Sequence, residues 1–562
     1  MEMKSYKDNF LYYGGILASL FILFLYFGFS VDTSVLSPFF KFISAVADGV
    51  LIVFPFIFLR GKWKFLALAI PFIISLLLWI NLLYFRNFQD LIPVSQYINN
   101  QIGDETVVAS IRPSSKLSDF ILLTVPFLPL LITYYIGVKN VEKMKQTKPL
   151  AISLFCLLIG SWGVTFAGSY RRIGIFNELS DSNEILKKLY PAKATNWMFF
   201  YNQHNFTGYV ARCMFKIHGT SINLSKEDIG FLQDYIRGKD NVRGVSHEES
   251  DSLNLILIVV ESLPMKILEL EGKDRLIPNL NRLVSDSSII VNRCISLIGI
   301  GRSSDAQFMY NTGLLPLRDE PVVTNYSNKD YPSLAKALNY NSLEVIAEDG
   351  RLWSHLSTTK SYGYDNLISG IAVGGENQDS IIFQKALTEI EGIREPFYLF
   401  VTTMSMHGPY NSRRTTHELS QSDLLPFNDR RDQEYLQRVR HFDKHLGKFL
   451  DGLKSQGKYH NSVIVIVGDH EIGQQDVTEL LHDNSVPFII INSPLQEPGE
   501  RISTQIDVFP TILDIFCRDY QFLGVRYHGL GESIFNNPEI TDTYYPSNED
   551  YEVSEMIIKG KY

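Results

Sequence analysis

The sequence predicts a chain in two parts: an N-terminal bundle of five transmembrane helices and a C-terminal α/β domain with a central, mostly parallel sheet. Three observations predict it. Residues 1–170 carry long apolar runs nearly free of charge, whereas residues 171–562 read as an ordinary globular sequence. From about Leu253 onward, short β-branched runs alternate with helical patterns. At 562 residues the chain also exceeds one ordinary domain.

The five candidate spans are Phe10–Ser30, Phe42–Leu59, Phe65–Phe85, Phe120–Val138 and Leu150–Ala167. Each approaches the ~20 residues needed to cross a bilayer. The first is too long, and too closely followed by others, to be a cleaved signal peptide. Buried core helices of a soluble protein rarely come five in succession. Arg60, Lys62 and Lys64 join spans two and three; Lys139, Lys143, Lys145 and Lys148 join spans four and five. Short basic loops of this kind stay in the cytoplasm. The expected product is a multi-pass protein of the cell (inner or cytoplasmic) membrane, with its N-terminus cytoplasmic and its C-terminal domain extracytoplasmic. The longer third connection, with Arg86, Arg112 and Lys116 among acidic and polar residues, suits the outer side. Asp48 falls in the middle of the second span, where an ionisable group is costly. It is either functional or faces a neighbouring helix in neutral form.

The domain boundaries read as 1–168 for the spans, 169–252 for a linker and 253–562 for the outer domain. The linker carries two amphipathic patterns, Asn177–Tyr190 and Lys226–Ile236, and an aromatic cluster of Trp197, Phe199, Phe200 and Tyr201. These suit either the membrane surface or the flank of the outer domain. A net charge of −9 without a Lys/Arg stripe argues against nucleic acid as a partner. Cys156, Cys213, Cys294 and Cys517 are far apart and form no CxxC. With Cys156 inside an apolar run, at most one disulfide is open to the other three. Nothing in the sequence sets the oligomeric state.

In the outer domain the runs Leu255–Val260, Ser288–Asn292, Leu343–Ala347, Phe397–Val401, Val463–Val467 and Val486–Ile491 read as strands buried on both faces. Within Glu434–Leu453, apolar residues recur every three or four positions, as on an amphipathic helix. Ligands of such sheets collect beyond the carboxyl ends of the strands. There the first run meets Glu261-Ser262, the fifth meets Gly468-Asp469-His470, and the fourth meets Thr402, Thr403, Ser405, Met406 and His407. A carboxylate from one strand and an Asp-His pair from another supply oxygen and imidazole ligands for one divalent cation. Singly, each has a bland reading as a helix cap or a surface turn; jointly, on successive strand ends, they favour a metal site. In Gly299–Phe308, GIGRSSDAQF, glycines and hydroxyls lead into a helical pattern that places Ser303 at a helix N-terminus, a phosphate-binding position. A metal on the Ser303 oxygen makes it a nucleophile at neutral pH, with Arg302 to neutralise phosphate charge. Without the metal residues, Ser303 is a plain N-cap.

These pieces, in this order, resemble the alkaline phosphatase–sulfatase superfamily, and within it the lipoteichoic acid synthases and related phosphoglycerol transferases. Beyond GIGRSSDAQF, the motifs that carry the resemblance are LIVVES at Leu257–Ser262, GDH at Gly468–His470 and IDVFPTIL at Ile506–Leu513. The resemblance implies a sulfatase-like outer domain with Glu261, Ser303, Asp469 and His470 around one divalent metal, manganese by resemblance, with magnesium or zinc as alternatives. It implies Ser303 as nucleophile and His407 as a group that holds the phosphate or protonates the leaving alcohol. Asp349 and Trp353 fall where the family's headgroup pocket lies.

Four departures stand out. The nucleophile is Ser where Thr is usual, and Arg302 replaces Lys. Glu348 stands near the place of a histidine, and His355 stands in that of an arginine. The last two touch headgroup recognition. His482 follows the Asp-His strand and is either a second-metal or leaving-group residue or a surface histidine. Ser303 lacks the C/S-x-P-x-R context of formylglycine sulfatases, so sulfate-ester hydrolysis is not expected. The implied reaction moves a phosphoglycerol headgroup from phosphatidylglycerol to a hydroxyl of a glycan or glycolipid acceptor. Two alternatives are phosphoethanolamine transfer to a glycolipid or envelope glycan and a catalytically inactive membrane receptor.

Overall fold

The computed structural model describes residues 2–31, 38–88, 91–92, 115–143, 148–176, 206–207, 222–239, 252–299, 301–318, 320–350, 352–372, 378–408, 410, 418–472, 477–495, 502–536 and 545–562. The chain forms two compact units, Met1–Ile98 with Ile111–Ile217, and Asn99–Ser110 with His218–Tyr562.

In the first unit, four described stretches are long and apolar enough to cross a membrane: Lys7–Ser30, Lys41–Phe58, Gly61–Arg86 and Leu117–Ile136. The fifth expected span lies in a helix of 29 residues, Lys148–Phe176, whose apolar part among the described residues is the shorter Lys148–Ser161. Pro126 and Pro129 each open a new helical piece, so the fourth span is segmented. The Tyr12 hydroxyl donates to the Lys64 carbonyl at 2.9 Å and the Tyr13 hydroxyl to Phe56 at 3.1 Å. Lys64 is not an exposed loop cation: it is 1% exposed, and its ammonium donates to the carbonyl of Val141 at 3.4 Å. The two basic connections therefore meet. Elsewhere in the bundle Arg86 grips Asp119 with two bonds of 2.7 and 2.8 Å, and Tyr26 donates to the same carboxylate at 2.8 Å.

Asp48 is buried, but its partner is not a neighbouring span. Its carboxylate accepts from the backbone N–H groups of Phe206 (3.0 Å) and Thr207 (3.1 Å) and from the Thr207 hydroxyl (2.5 Å). Phe206 rests against Phe24 and Phe27. The expected helix Asn177–Tyr190, the aromatic cluster at 197–201 and Cys213 lie outside the described residues. Among the described residues, Cys156 and Cys294 are free thiols.

The second unit opens with β1 (Ile222–Asn223) and the helix Lys226–Lys239, whose Leu232 and Ile236 are buried. Its eight-stranded sheet contains β2 (Asn254–Val260), β3 (Ile290–Ile295), β4 (Asn341–Val345), β5 (Asn366–Ile368), β6 (Phe397–Thr402), β7 (Ser462–Gly468), β8 (Ser485–Ile491) and β9 (Ser503–Thr504). The order across it is β5-β4-β6-β2-β7-β8-β3-β9. Only β8 runs against its neighbours; every other pairing is parallel. Alternation along β2 explains the two hydrophobic layers. Leu255, Leu257 and Val259 join one core, and Ile256, Ile258 and Val260 join the other. The second layer is closed by Arg430–Ser455, which buries Leu436, Val439, Phe442, Leu446, Phe449 and Leu453. Because β4, β6, β2 and β7 are neighbours and parallel, their carboxyl ends open on one edge.

Candidate active site

Glu261 follows β2 directly and Asp469 follows β7, so the pairing of these two strands alone brings the carboxylates together. Backbone constraints fix both. Ser262 takes a positive φ of 49°, and its N–H donates to Asp469 Oδ1 at 2.7 Å; the His470 N–H reaches the same oxygen at 2.6 Å. The Glu261 N–H donates to Thr403 Oγ1 at 3.0 Å, which ties the end of β2 to the end of β6. Gln505, just before the IDVFPTIL motif, donates to the Asp469 carbonyl at 2.5 Å. At Gly468 any Cβ would sit 2.5 Å from the Leu263 carbonyl, so the close approach of the strand ends requires glycine.

Ser303 opens the helix Ser303–Thr312, immediately after Arg302, whose φ of 45° is unusual for a side chain of that size. The loop before it is clamped by Asp305, which accepts from the N–H groups of Gly299 and Gly301 at 2.9 Å each. A Cβ on Gly301 would overlap that carboxylate. So placed, Ser303 Oγ lies 3.3 Å from Glu261 Oε2 and 3.2 Å from His470 Nε2. His470 Nε2 is in turn 3.6 Å from Glu261 Oε1 and 3.6 Å from Asp469 Oδ2. Ligand atoms held about 2.1 Å from a four-coordinate cation lie about 3.4 Å from one another, so these spacings fit a single ion.

The electrostatics point the same way. Burial, and then Asp469, push Glu261 up; burial pushes Asp469 up to about 6. Burial, and then Arg302, push His470 down to about 4. Asp469 Oδ2 is buried with no hydrogen-bond partner. Nδ1 of His470 is 2.7 Å from the Glu471 carbonyl, which can only accept. The proton is therefore on Nδ1, and the Nε2 lone pair faces Ser303 and the two carboxylates. Two carboxylates, one of them with an unpartnered oxygen, and a neutral imidazole, all buried, form a cluster short of positive charge. It suits a divalent cation.

Among the other residues read from the sequence, Arg302 extends past His470, its Nη2 3.4 Å from the Glu471 carbonyl. The Nδ1 of His407 is 2.8 Å from the Gly408 carbonyl, and the ring is close enough to act electrostatically on both Glu261 and Glu348. Asp349 and Trp353 are half-buried beyond the end of β4, with Trp353 and Ser354 both at positive φ (47° and 59°). His355 is buried between two carboxylates, Nδ1 3.2 Å from Glu344 and Nε2 3.4 Å from Glu348. Both its nitrogens are thus occupied within the protein. Half-buried His482 lies on the turn before β8 and is not among the converging metal-type groups.

Thr403, Asp305, Glu344 and Arg438 support this site and were not assigned roles from the sequence. Arg438, fully buried, donates to the His407 carbonyl at 2.5 Å and lies over the Tyr410 ring. Its position offered a signal: Arg438 lies beside Val439 on a helix whose apolar face must be covered, so its charge had to find a partner inside.

The second unit has a sulfatase-like fold of the alkaline phosphatase class. Residues 253–517 match the sulfatase family, and residues 3–194 match the lipoteichoic acid synthase N-terminal domain. The chain is similar, in order, to the N-terminal domain of lipoteichoic acid synthases and to a sulfatase domain, and it is an enzyme. It is 24% identical to lipoteichoic acid synthase 2 of Bacillus subtilis over 499 residues, covering 81% of this chain and 73% of that protein. It is also 24% identical to the lipoteichoic acid synthase of Staphylococcus aureus over 523 residues, covering 85% and 77%. Among solved structures, the lipooligosaccharide phosphoethanolamine transferase A of Neisseria meningitidis, an integral membrane protein, superposes with a TM-score of 0.51. That match covers 90% of this chain and 95% of the other at 13% identity, and it shows a shared fold.

Proposed function

We propose that this chain moves a phosphoglycerol headgroup from phosphatidylglycerol to an acceptor hydroxyl on a glycan or glycolipid, through an ester on Ser303. The convergence of the Ser303 hydroxyl with Glu261, Asp469 and His470 carries the reading. The kinship with lipoteichoic acid synthases supports the choice of headgroup.

Glu261, Asp469, His470 and Ser303 would hold one divalent cation, manganese in this reading. Bound there, it supplies Lewis-acid charge that favours the Ser303 alkoxide and offsets charge on the phosphoryl oxygens. Ser303 Oγ attacks the phosphorus, and the bond from phosphorus to the diacylglycerol oxygen breaks. His407 gives that oxygen its proton; the Gly408 carbonyl fixes the proton of Nδ1, so Nε2 makes the exchange. The acceptor hydroxyl then attacks the phosphorus, its proton passes to His407, and the bond to Ser303 Oγ breaks. Arg302 answers phosphoryl charge, and Asp349 and Trp353 border the headgroup. His355 acts by holding Glu348, and His482 has no part in these steps.

The same reading places the second unit outside the cytoplasm. The contact of the two basic connections at Lys64 and Val141 supports their sharing one side of the membrane. One observation favours a second headgroup: Glu348 Oε2 is buried without a hydrogen-bond partner, a place for an ammonium group. Purified enzyme with labelled phosphatidylglycerol or phosphatidylethanolamine, followed by mass spectrometry of the Ser303 peptide, tests both. A phosphoglycerol adduct supports the proposal and a phosphoethanolamine adduct replaces it with the second reading. An adduct that survives Ser303→Ala overturns the nucleophile.

A further inference from the structure

A second histidine–carboxylate group lies on the long helix Arg430–Ser455, away from β2 and β7. His441 and His445 are one turn apart on it, with ring centroids separated by 4.4 Å. One turn earlier, Gln437 clasps an incoming segment: its side-chain oxygen accepts from the N–H groups of Glu418 and Leu419 at 2.8 Å each, and its Nε2 donates to the Leu419 carbonyl at 3.0 Å. That clasp fixes the backbone of Glu418 beside the two imidazoles. His441 Nδ1 is 3.1 Å from Glu418 Oε1, and one ligand atom from each of Glu418, His441 and His445 lies within 4.8 Å of the other two.

We propose that Glu418, His441 and His445 form a second metal site, which takes a zinc ion and pins the segment at Glu418 to the helix that also supports His407. Two imidazoles four residues apart and one carboxylate are a donor set that zinc favours over magnesium or calcium, with water completing the tetrahedron. A second observation stands beside the cluster. His441 is 1% exposed, and its Nε2 is buried with no hydrogen-bond partner. This same ring acts electrostatically on Asp379, whose Oδ2 is likewise buried without a hydrogen-bond partner. A histidine that binds metal through one nitrogen and turns the other toward a carboxylate is the usual support of such a ligand.

Two cations on the helix face the cluster. Lys448 acts on His445, and Lys444 sits 3.2 Å from Glu418 Oε2. Lys444 is 44% exposed on a flexible stem, so it leaves Oε2 for solvent when an ion arrives. The site is accordingly weaker than one lined by neutral groups alone.

The site is independent of whether Ser303 is a nucleophile. The test uses the full chain in detergent, stripped with a chelator and dialysed against zinc. The wild type should retain two zinc ions per chain, His445→Ala one, His470→Ala one, and the double variant none. Cobalt(II) bound to His470→Ala should give a tetrahedral visible band that His445→Ala removes, and Lys444→Met should tighten zinc binding in that background. If His445→Ala unfolds, Glu418→Gln replaces it in the same series. Equal zinc in the wild type and in the folded His445→Ala or Glu418→Gln variant overturns the proposal.

Discussion

Two buried histidine–carboxylate clusters near the same edge of the sheet behave in opposite ways. At His470 the ring donates one nitrogen to a backbone carbonyl and turns a lone pair toward Glu261 and Asp469. Burial and Arg302 keep it neutral, near pKa 4, while burial raises both carboxylates. At His355 burial would also lower the ring, but Glu344 and Glu348 hold one nitrogen each and outweigh it, raising the pKa to about 10. Burial alone would raise Glu348; the His355 imidazole overcomes this and holds it low. The same residue types thus yield a receptor that lacks a positive charge and an ion pair that already contains one. The deciding difference is which neighbour takes the second ring nitrogen, a carbonyl or a carboxylate.

The largest expected effect breaks the first cluster. Ser303→Ala should cut headgroup transfer by ~10³-fold or more with the melting temperature unchanged, measured on the same preparation. His355→Gln breaks the second cluster instead, leaving Glu344 and Glu348 face to face without their cation. A loss of ~3–5 kcal/mol is expected, read by denaturant unfolding of the detergent-solubilised chain. Chelation should abolish turnover reversibly. Restoring metal at 100 times its dissociation constant should stabilise the protein by about 2.7 kcal/mol, read as a rise in melting temperature.

Acidity sharpens the contrast. Asp469 is raised above its unfolded value, so in metal-free protein its contribution to stability is full below the ordinary carboxylate range and lost as pH rises through about 6. The contribution of His355 is full below about 6.5 and lost only as pH rises through about 10. His470, held down near 4, contributes with the opposite sign over nearly the same range as Asp469 and offsets its loss, so the metal-free profile should show its clear fall only through about 10, and saturating metal should leave that fall in place. The smallest effect is expected of Arg302→Ala, about tenfold in transfer rate, since in the proposed reaction it answers phosphoryl charge without joining the metal ligands.

Much of this was legible because strand order turns short motifs into neighbours. The runs read at 255–260, 397–401, 463–467 and 486–491 recur as strands within a residue or two of those limits. Hydrophobic alternation is absent from such doubly covered strands, and continuous apolar runs mark them instead. The run at 288–292 slid to Ile290–Ile295 because this strand carries Asn292 and Arg293, with its partly exposed positions alternating with buried ones. β5 and β9, of three and two residues, are too short to leave a pattern. The partners of His355 were hidden for a different reason: Glu344 is a buried acid inside a strand, eleven residues upstream, and only the fold opposes it to the helix His355–Tyr362. The partners of Asp48 lie more than 150 residues downstream, beyond any local pattern.

The adjacency of β4, β6, β2 and β7 has a further consequence. Parallel strands about 4.8 Å apart make these four ends a fixed ruler ~14 Å long, which the ladder of backbone bonds prevents from stretching. Glu261 and Asp469 are mounted at one end of it, and Glu348, Trp353 and the His355 pair belong to the other. In the proposed reaction, reading the cargo and breaking its bond thereby fall to different strands. Mutational drift in the loop after β4 can retune what is carried while the cutting edge stays intact.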